Sequence, residues 1–146
     1  MKVPEDLLMK FPAIFRNKLE SGEIVLQDEV KFEYEPVWAF RCIDRKAADT
    51  TDVSRNDFRS NAELGRTNFK GKIEHPELLP EYYGVSFYRK REELDVRLGL
   101  PRKNRKVVEG YIRQEGGPQL QSGKTSHVCW WLYENADVSS FSIVDQ

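Results

Sequence analysis

The sequence predicts an α+β protein, with helices at the N-terminal end and a mixed or mainly antiparallel sheet formed by the rest of the chain. Three observations support this prediction. An apolar stripe of helical period opens the chain, segments with the apolar patterns of strands follow it, and the later connections resemble those of β-hairpins. The 146 residues fit one domain, 1–146. A domain of this size buries roughly 68% of its unfolded surface on folding.

The helices are predicted from apolar spacing and from residues that start and stop helices. In PEDLLMKFPAIFRNKLESG the apolar residues recur about every 3.6 positions. They are Leu7, Leu8, Phe11, Ile14, Phe15 and Leu19. Pro12 is placed to begin a second helix and Gly22 to end it. Ser54 and Asp57 predict a short capped helix in SRNDFRSNAELG, and RKREELDVRLGLP fits another that ends at Gly99.

The strands are predicted from alternating or continuous apolar segments. EIVLQDEVKFEYEPVWAFRCID predicts two strands, because Val30, Phe32 and Tyr34 alternate with charges and residues 37–43 are nearly all apolar. Later strands are expected in YYGVSFY, KVVEGYIR, HVCWWLYE and SFSIV. Residues 65–82 read as a long connection, and QEGGPQLQSGKTS reads as a flexible loop. We expect VWAFRCI, YYGVSFY, KVVEGYI and HVCWWLYE to be the core strands.

Composition limits the functional classes. Lysine and arginine number 23 against 24 acidic residues, so overall charge does not favour nucleic acid or an anionic membrane as an obligatory partner. No apolar run approaches the roughly 20 residues that span a bilayer, and we expect no membrane partner. Two cysteines in a chain without a basic and apolar leader favour a cytoplasmic protein.

The segment HVCWWLYENAD raises the question of a ligand site. In a strand, His127, Cys129, Trp131 and Tyr133 share one face, and Val128, Trp130, Leu132 and Glu134 share the other. One interpretation is a central strand whose rings fill the core. The other is an aromatic shelf on which Trp130 or Trp131 stacks a planar ligand, with Glu134 at the strand end.

A metal site is not predicted. His127 and Cys129 share a face, but a zinc site needs two further ligands. Cys42 and His75 are the remaining candidates, and neither CxxC nor HxxxH spacing supports them. Cys129 is therefore expected to behave as a small buried apolar residue.

Residues 89–113 form a basic segment. It holds nine basic residues against four acidic ones in a chain of net charge −1. The basic residues are Arg89, Lys90, Arg91, Arg97, Arg102, Lys103, Arg105, Lys106 and Arg113. Such a cluster can bind phosphate groups of a nucleotide or nucleic acid, or it can be a solvated helix end and loop.

Four polar residues interrupt the apolar strands. They are Arg41 in VWAFRCI, Ser86 in YYGVSFY, Glu109 in KVVEGYI and Glu134 at the end of HVCWWLYE. Burying such groups costs several kcal/mol unless they are paired. Either Arg41 forms a structural bridge with a glutamate, or strand alternation sends these side chains to solvent, or they converge on one functional cleft.

The order of an early arginine, a middle serine and a late glutamate is similar to that of ADP-ribosyltransferase-like folds. The resemblance implies that Arg41 binds the NAD phosphate or ribose and that Ser86 supports the nicotinamide pocket. It implies that Glu134, or Glu109 in its place, stabilises positive charge on the ribose. Tyr83 would help to shape the pocket. On this interpretation the protein is an NAD-binding enzyme or the relic of one.

Two other interpretations stay open. The chain can be a non-catalytic module that binds a protein or nucleic acid through residues 89–113, with binding that weakens steeply with salt. It can also be an interaction protein whose strand residues are all structural. Triad hydrolysis and P-loop chemistry are not favoured, because GxSxG and GxxxxGK[ST] are absent and only two histidines are present.

Overall fold

The computed structural model describes residues 1–66 and 74–144. Within these residues three α-helices accompany a six-stranded sheet, which confirms the α+β prediction. The helices are α1 (Glu5–Leu8), α2 (Ala13–Ser21) and α3 (Arg91–Leu98). The strands are β1 (Val37–Asp44), β2 (Val85–Tyr88), β3 (Arg105–Ile112), β4 (Gln119–Gln121), β5 (His127–Trp130) and β6 (Ser142–Val144).

The strands lie in the order β4-β5-β2-β1-β3-β6, and every neighbouring pair is antiparallel. The four strands predicted as the core occupy the four inner positions of this sheet. Short β4 and β6 cover the two edges. The prediction of the central strands is therefore confirmed, and the sheet is antiparallel rather than mixed.

The predicted helix boundaries depend on proline and glycine and are confirmed. Helix α2 begins directly after Pro12, whose fixed φ suits a helix start. It ends at Gly22, which has a φ of 78°. Helix α3 ends in the same way at Gly99, with a φ of 62°. Both C-caps need the left-handed backbone conformation that glycine adopts without steric cost.

Two predictions about strands are wrong. Residues 23–35 form no strand; their only ladder contact in the described chain is a bridge between Lys31 and Gln119. Their apolar side chains, such as Ile24 and Leu26, are buried against the sheet instead of pairing with it. Conversely, the predicted loop 114–126 contains β4, because Gln119–Gln121 pairs with β5.

The long connection predicted for residues 65–82 is partly ordered. Short 3-10 helices occupy Pro76–Leu78 and Pro80–Tyr83. Residues 67–73 of this connection lie outside the described residues. The capped helix predicted after Ser54 is a single 3-10 turn, Arg55–Phe58, in which the Asp57 carboxylate accepts the Ser54 backbone N–H at 2.9 Å.

Both faces of the sheet are covered. On the first face Ala39, Val108 and Trp130 pack against the rings of Phe58 and Phe141. On the second face, Cys129 and other residues toward the β4 edge pack against the N-terminal helices. Helix α3 covers another part of that face, where its Leu94 contacts Cys42 and Val107.

Strand β1 pairs unequally with its two neighbours. It pairs with β3 along all eight residues, from Val37 opposite Ile112 to Asp44 opposite Arg105. With β2 it forms one pair, Phe40 opposite Tyr88. We call the β1–β3 boundary the closed seam and the β1–β2 boundary beyond this single pair the open seam. The open seam positions the candidate site.

Among the described residues, no helix combines the length and the apolar character that a bilayer crossing requires.

Candidate functional site

A cleft of about 570 Å³ lies at the open seam and is lined by five arginines. We call it the arginine cleft. The arginines are Arg41, Arg59, Arg66, Arg97 and Arg105. They come from β1, from the segment after the Arg55–Phe58 turn, from α3 and from the start of β3. Among the described residues that line the cleft, Glu81 is the one acidic residue.

Three of these arginines are held by carboxylates. Arg105 forms an ion pair with Asp44 at 2.9 Å, and Arg66 lies 3.7 Å from the same carboxylate. Arg59 binds Glu63 at 2.7 Å. These pairs fix the positions of the guanidinium groups and neutralise part of the positive charge of the cleft.

Arg41 is different, because no carboxylate in the described part of the chain forms an ion pair with it. Its guanidinium donates to two backbone carbonyls, that of Ser86 at 3.2 Å and that of Asp57 at 3.4 Å. It also lies 5.9 Å from the centre of the Phe87 ring. The side chain is half-buried, and this desolvation lowers the pKa of the guanidinium to about 10.

The Arg41 side chain thus forms a hydrogen bond to β2 at the point where β1 and β2 no longer pair through their backbones. The Ser86 carbonyl lies on the side of β2 that faces β1, beyond the single pair of Phe40 and Tyr88. No strand pairing satisfies this carbonyl from the β1 side, and the Arg41 side chain supplies a donor to it. The other N–H groups of the guanidinium make no hydrogen bond to a described residue and can bind a ligand.

Arg97 is the second cation of the cleft without an ion pair to any described carboxylate. It is exposed and lies in the last turn of α3. With Arg41 it gives the cleft two guanidinium groups that form no ion pair with a described carboxylate, and these outweigh the single charge of Glu81 in the lining. This balance favours an anionic ligand.

Ser86 and His127 form a hydrogen-bonded pair inside the arginine cleft. Ser86 Oγ lies 3.0 Å from His127 Nε2. The two residues are diagonal neighbours on the second face, because Ser86 is opposite Cys129 and Tyr88 is opposite His127. The His127 ring also packs edge-on against Tyr88, with ring centres 5.3 Å apart. Ser86 itself is exposed, so its hydroxyl is accessible.

The cleft also contains a thiol. Cys42 lines it from β1 and is buried against α3. Burial raises the pKa of this thiol, so the protonated form is favoured. We assign Cys42 a packing role.

The structure brings together only some of the residues expected from sequence. Arg41 and Ser86 both line the arginine cleft. Glu134 lies outside this lining, on a separate surface with Lys10 and Tyr133. Its carboxylate is 3.4 Å from Arg59 Nη1, so Arg59 connects Glu134 to the edge of the cleft.

Glu109 lies away from the cleft. It is opposite Phe40 on β3, and alternation puts its side chain on the second face while that of Arg41 enters from the first. Arg41 therefore forms no bridge to Glu109, and Glu134 pairs with Arg59 rather than Arg41. Glu109 is half-buried.

The two tryptophans are enclosed by protein. Trp130 is 1% exposed and packs in the first-face core, whereas Trp131 is 0% exposed and packs in the core beneath the N-terminal helices. Their indole N–H groups donate to the carbonyls of Gly117 and Pro80. Neither ring presents a free face to the arginine cleft, so we leave both out of the proposed site.

Tyr83 is also a core residue. Its ring stacks on Phe15 with centres 5.1 Å apart, and its hydroxyl donates to the Glu77 carbonyl at 2.7 Å. The neighbouring Gly84 does line the cleft. Tyr83 therefore supports the wall of the cleft from behind and does not line it.

The basic segment is divided between several surfaces. Arg97 and Arg105 line the arginine cleft. Other basic residues bind groups of the protein itself. Arg89 donates to the Thr125 carbonyl, and Arg91 forms an ion pair with Asp95. Lys106 donates to the carbonyls of Ala47 and Asp49. Arg102 and Lys103 are exposed in the turn before β3. The segment thus gives two charges to the cleft and no continuous basic surface.

Several cleft residues were missed from sequence. Arg59 and Arg66 lie where the sequence predicts a helix and a connection, and for His127 the sequence raises only a strand position and a metal site. No local pattern identifies them, because tertiary packing brings their segments to the open seam. In the described residues, no cluster of three or more His, Cys, Asp or Glu side chains is arranged to hold a metal ion.

Comparison of the chain with models of protein families, with curated proteins and with solved structures found no match. The geometry and charge of the arginine cleft are therefore the features that point to a function.

Proposed function

We propose that this protein binds a small phosphate-bearing ligand, of the nucleotide class, in the arginine cleft. The observation that carries the proposal is Arg41, a half-buried cation that donates, among the described residues, only to backbone carbonyls, in a cavity with four other arginines. A partly desolvated charge without a counter-ion is costly. A phosphate group would provide that counter-ion and accept the remaining guanidinium N–H groups.

The size and charge of the cleft support a small ligand. Its volume of about 570 Å³ falls within the range of small-molecule sites. Arg97 adds an exposed guanidinium to the lining, and Ser86 and His127 add polar groups. These features match a ligand that combines a phosphate with a polar body.

NAD stays the specific nucleotide proposed, because the resemblance to ADP-ribosyltransferase-like folds implies it. In that proposal Arg41 binds phosphate and Ser86 contacts the nicotinamide side. ADP-ribosyl transfer also needs Glu134 at the ribose, and Glu134 now bonds Arg59 beyond the cleft lining. Binding is therefore proposed first, and transfer depends on whether Arg59 and Glu134 rearrange around the ligand.

Calorimetric titration tests the proposal with inorganic phosphate, ADP and NAD as separate probes. Wild type is expected to bind at least one of them, and Arg41→Ala is expected to lower its affinity roughly 10- to 100-fold, the range for losing a charged hydrogen-bonding group. Arg97→Ala gives a second test in which folding is not at risk, since Arg97 is exposed. Folded wild-type protein that binds none of the three would refute the proposal.

Arg113→Ala is the matched control. Arg113 is an exposed arginine whose guanidinium lies 4.9 Å from the centre of the Tyr111 ring, outside the cleft. Its removal changes the net charge of the protein as much as removal of Arg97. Equal loss of affinity in both variants would indicate general charge attraction rather than a site.

The nucleic-acid alternative keeps one supporting observation, the exposure of Arg102 and Lys103 next to the cleft arginine Arg105. It predicts that a single-stranded oligonucleotide binds with an affinity that falls steeply with salt. It also predicts loss of binding in the double variant Arg102→Ala with Lys103→Ala. A small-ligand site predicts that this double variant binds phosphate as wild type does.

A further inference from the structure

We propose that Ser86 and His127 form a nucleophile and base pair that cleaves a phosphate ester bound in the arginine cleft. This inference rests on the proposed function, since the arginines must first bind the phosphate. It adds an activity to that site. It also differs from the proposed ADP-ribosyl transfer, in which the serine only supports the pocket.

The geometry of the pair matches an activated serine. Ser86 Oγ and His127 Nε2 are 3.0 Å apart, within the range in which an imidazole can take a hydroxyl proton. Ser86 is exposed and lines the cleft, so a substrate can reach its hydroxyl. The imidazole of His127 is half-buried beside it. The structural alternative is a hydrogen bond that only satisfies two polar groups on the sheet surface.

The sheet holds the two residues rigidly. They lie on adjacent strands β2 and β5, which pair along all four of their residues. Tyr88 packs against the imidazole, and Thr125 Oγ1 accepts the His127 backbone N–H at 3.2 Å. Catalytic groups on paired strands are placed more accurately than groups on loops.

Arg41 links the pair to the positive charge. It donates to the backbone carbonyl of Ser86, so a guanidinium adjoins the residue that would attack. Charge that develops on phosphoryl oxygens during transfer is stabilised by fixed cations of this kind. The arginine cleft thus supplies binding and charge stabilisation, and the pair supplies the nucleophile and the proton transfer.

The reaction balances without a redox partner. Ser86 Oγ attacks phosphorus and its proton moves to His127 Nε2, while the bond from phosphorus to the ester oxygen breaks and that oxygen takes the proton from His127. Water then attacks the phosphoserine and gives a proton to His127, which returns it to Ser86 Oγ as the phosphorus bond to the serine breaks. The net change is ester plus water to alcohol plus inorganic phosphate.

Hydrolysis of p-nitrophenyl phosphate by the full-length protein tests the proposal, together with mass spectrometry of the acid-quenched reaction. Wild type is expected to release nitrophenol and to carry phosphate on Ser86. Ser86→Ala is expected to abolish both signals, and His127→Asn is expected to lower the rate about 100-fold or more. Ser21→Ala and His75→Asn are the matched controls, because Ser21 and His75 lie outside the cleft.

The outcomes separate this inference from the proposed function. Wild type that binds phosphate in the titration but neither turns over the ester nor forms phosphoserine overturns the catalytic pair and leaves the binding site standing. Wild type that neither binds phosphate nor turns over the ester overturns both proposals. Turnover that survives Ser86→Ala overturns the assignment of Ser86 as the nucleophile.

Discussion

The two sides of β1 have opposite properties. At the closed seam, eight residues pair with β3 and the ladder uses the backbone groups of both strands. At the open seam, pairing with β2 ends after Phe40 and Tyr88. There the Arg41 side chain donates to the Ser86 carbonyl, and the arginine cleft lies alongside.

This difference indicates where a sheet protein can place a site. A fully paired boundary gives stability, but the backbone groups that face each other across it bond to one another and need no side chain. An interrupted boundary leaves backbone N–H and C=O groups without a partner on the next strand, so side chains form hydrogen bonds with them. Where such a side chain is an arginine, it places a positive charge between the strands. We therefore expect substitutions at the closed seam to lower stability, and substitutions at the open seam to lower both stability and ligand affinity.

The largest effect is expected for Gly110→Ala at the closed seam. A Cβ on Gly110 would lie 2.6 Å from Phe141 Cγ and 2.7 Å from Phe141 Cα, too close for any neighbour to avoid without moving backbone. Overpacking of this kind should lower the free energy of unfolding by about 3 kcal/mol, measured by equilibrium urea unfolding.

Gly123→Ala is the control for this substitution, because nothing lies within 4 Å of a Cβ built on Gly123. The phosphate affinity of the folded fraction of Gly110→Ala should equal that of wild type, since Gly110 lies away from the cleft. A Gly110→Ala protein as stable as wild type would contradict the packing of Phe141 on β3.

An intermediate effect is expected for Asp57→Asn beside the open seam. The Asp57 carboxylate binds Arg45 through two bonds of 2.6 and 2.9 Å and also accepts the Ser54 N–H. Losing charged hydrogen bonds of this kind should cost about 2 kcal/mol of unfolding free energy. Because the Asp57 carbonyl also holds Arg41, phosphate affinity should fall as well.

Asp52→Asn is the matched control for Asp57→Asn. Asp52 is exposed in the same segment, and no described residue forms an ion pair or hydrogen bond with its carboxylate. It should leave stability and phosphate affinity unchanged. If Asp57→Asn lowered stability but not affinity, the arrangement of Arg41 would not depend on the Arg55–Phe58 turn.

A smaller effect is expected for the aromatic pair that crosses the closed seam. Trp38 is opposite Tyr111, with ring centres 4.8 Å apart in an edge-to-face arrangement, and both side chains are partly exposed. A double-mutant cycle of Trp38→Ala and Tyr111→Ala should give a coupling energy of about 1 kcal/mol. Coupling near zero would show that the two rings merely lie side by side.

The features predicted well from sequence are those that local chemistry decides. Gly22 and Gly99 end helices because each backbone needs a left-handed residue at that point. The four central strands were identified because strands buried on both faces must be apolar almost throughout. Neither inference needs knowledge of distant contacts.

The features predicted poorly depend on tertiary packing. Residues 23–35 alternate like a strand, yet Ile24, Leu26 and Val30 are buried by an irregular segment that does not join the ladder. Strand β4 was missed because three residues beside glycine and proline carry no period, and its pairing with β5 decides its structure.

The candidate site divides in the same way. Arg41 and Ser86 were found because a polar residue in an apolar strand is costly and therefore conspicuous. The contributions of Arg59 and Arg66 to the cleft were missed, since each is an ordinary surface residue type until folding brings it to the open seam. The sequence alone does not distinguish tryptophans that fill the core from tryptophans that stack a ligand, because both arrangements place Trp130 and Trp131 on the same strand.

The smallest effect is expected for Glu93→Gln, which loosens the segment before His127. The Glu93 carboxylate accepts the backbone N–H of Ser126 at 2.8 Å and its hydroxyl at 2.7 Å. These hydrogen bonds hold the pKa of Glu93 below its usual value. They therefore stabilise the fold above the ordinary glutamate pKa, and this contribution is lost as the pH falls through the lowered value.

Thermal unfolding across this pH window tests the link. At neutral pH the melting temperature of Glu93→Gln should lie slightly below that of wild type, and the gap should close as the solution is acidified below the wild-type Glu93 pKa. Glu92→Gln is the matched control, because Glu92 makes no such bond to a described residue. Since Ser126 precedes His127, Glu93→Gln should also slow p-nitrophenyl phosphate hydrolysis more than Glu92→Gln does. A gap that persists unchanged at acidic pH would mean that the carboxylate charge is not what holds this side of the arginine cleft in place.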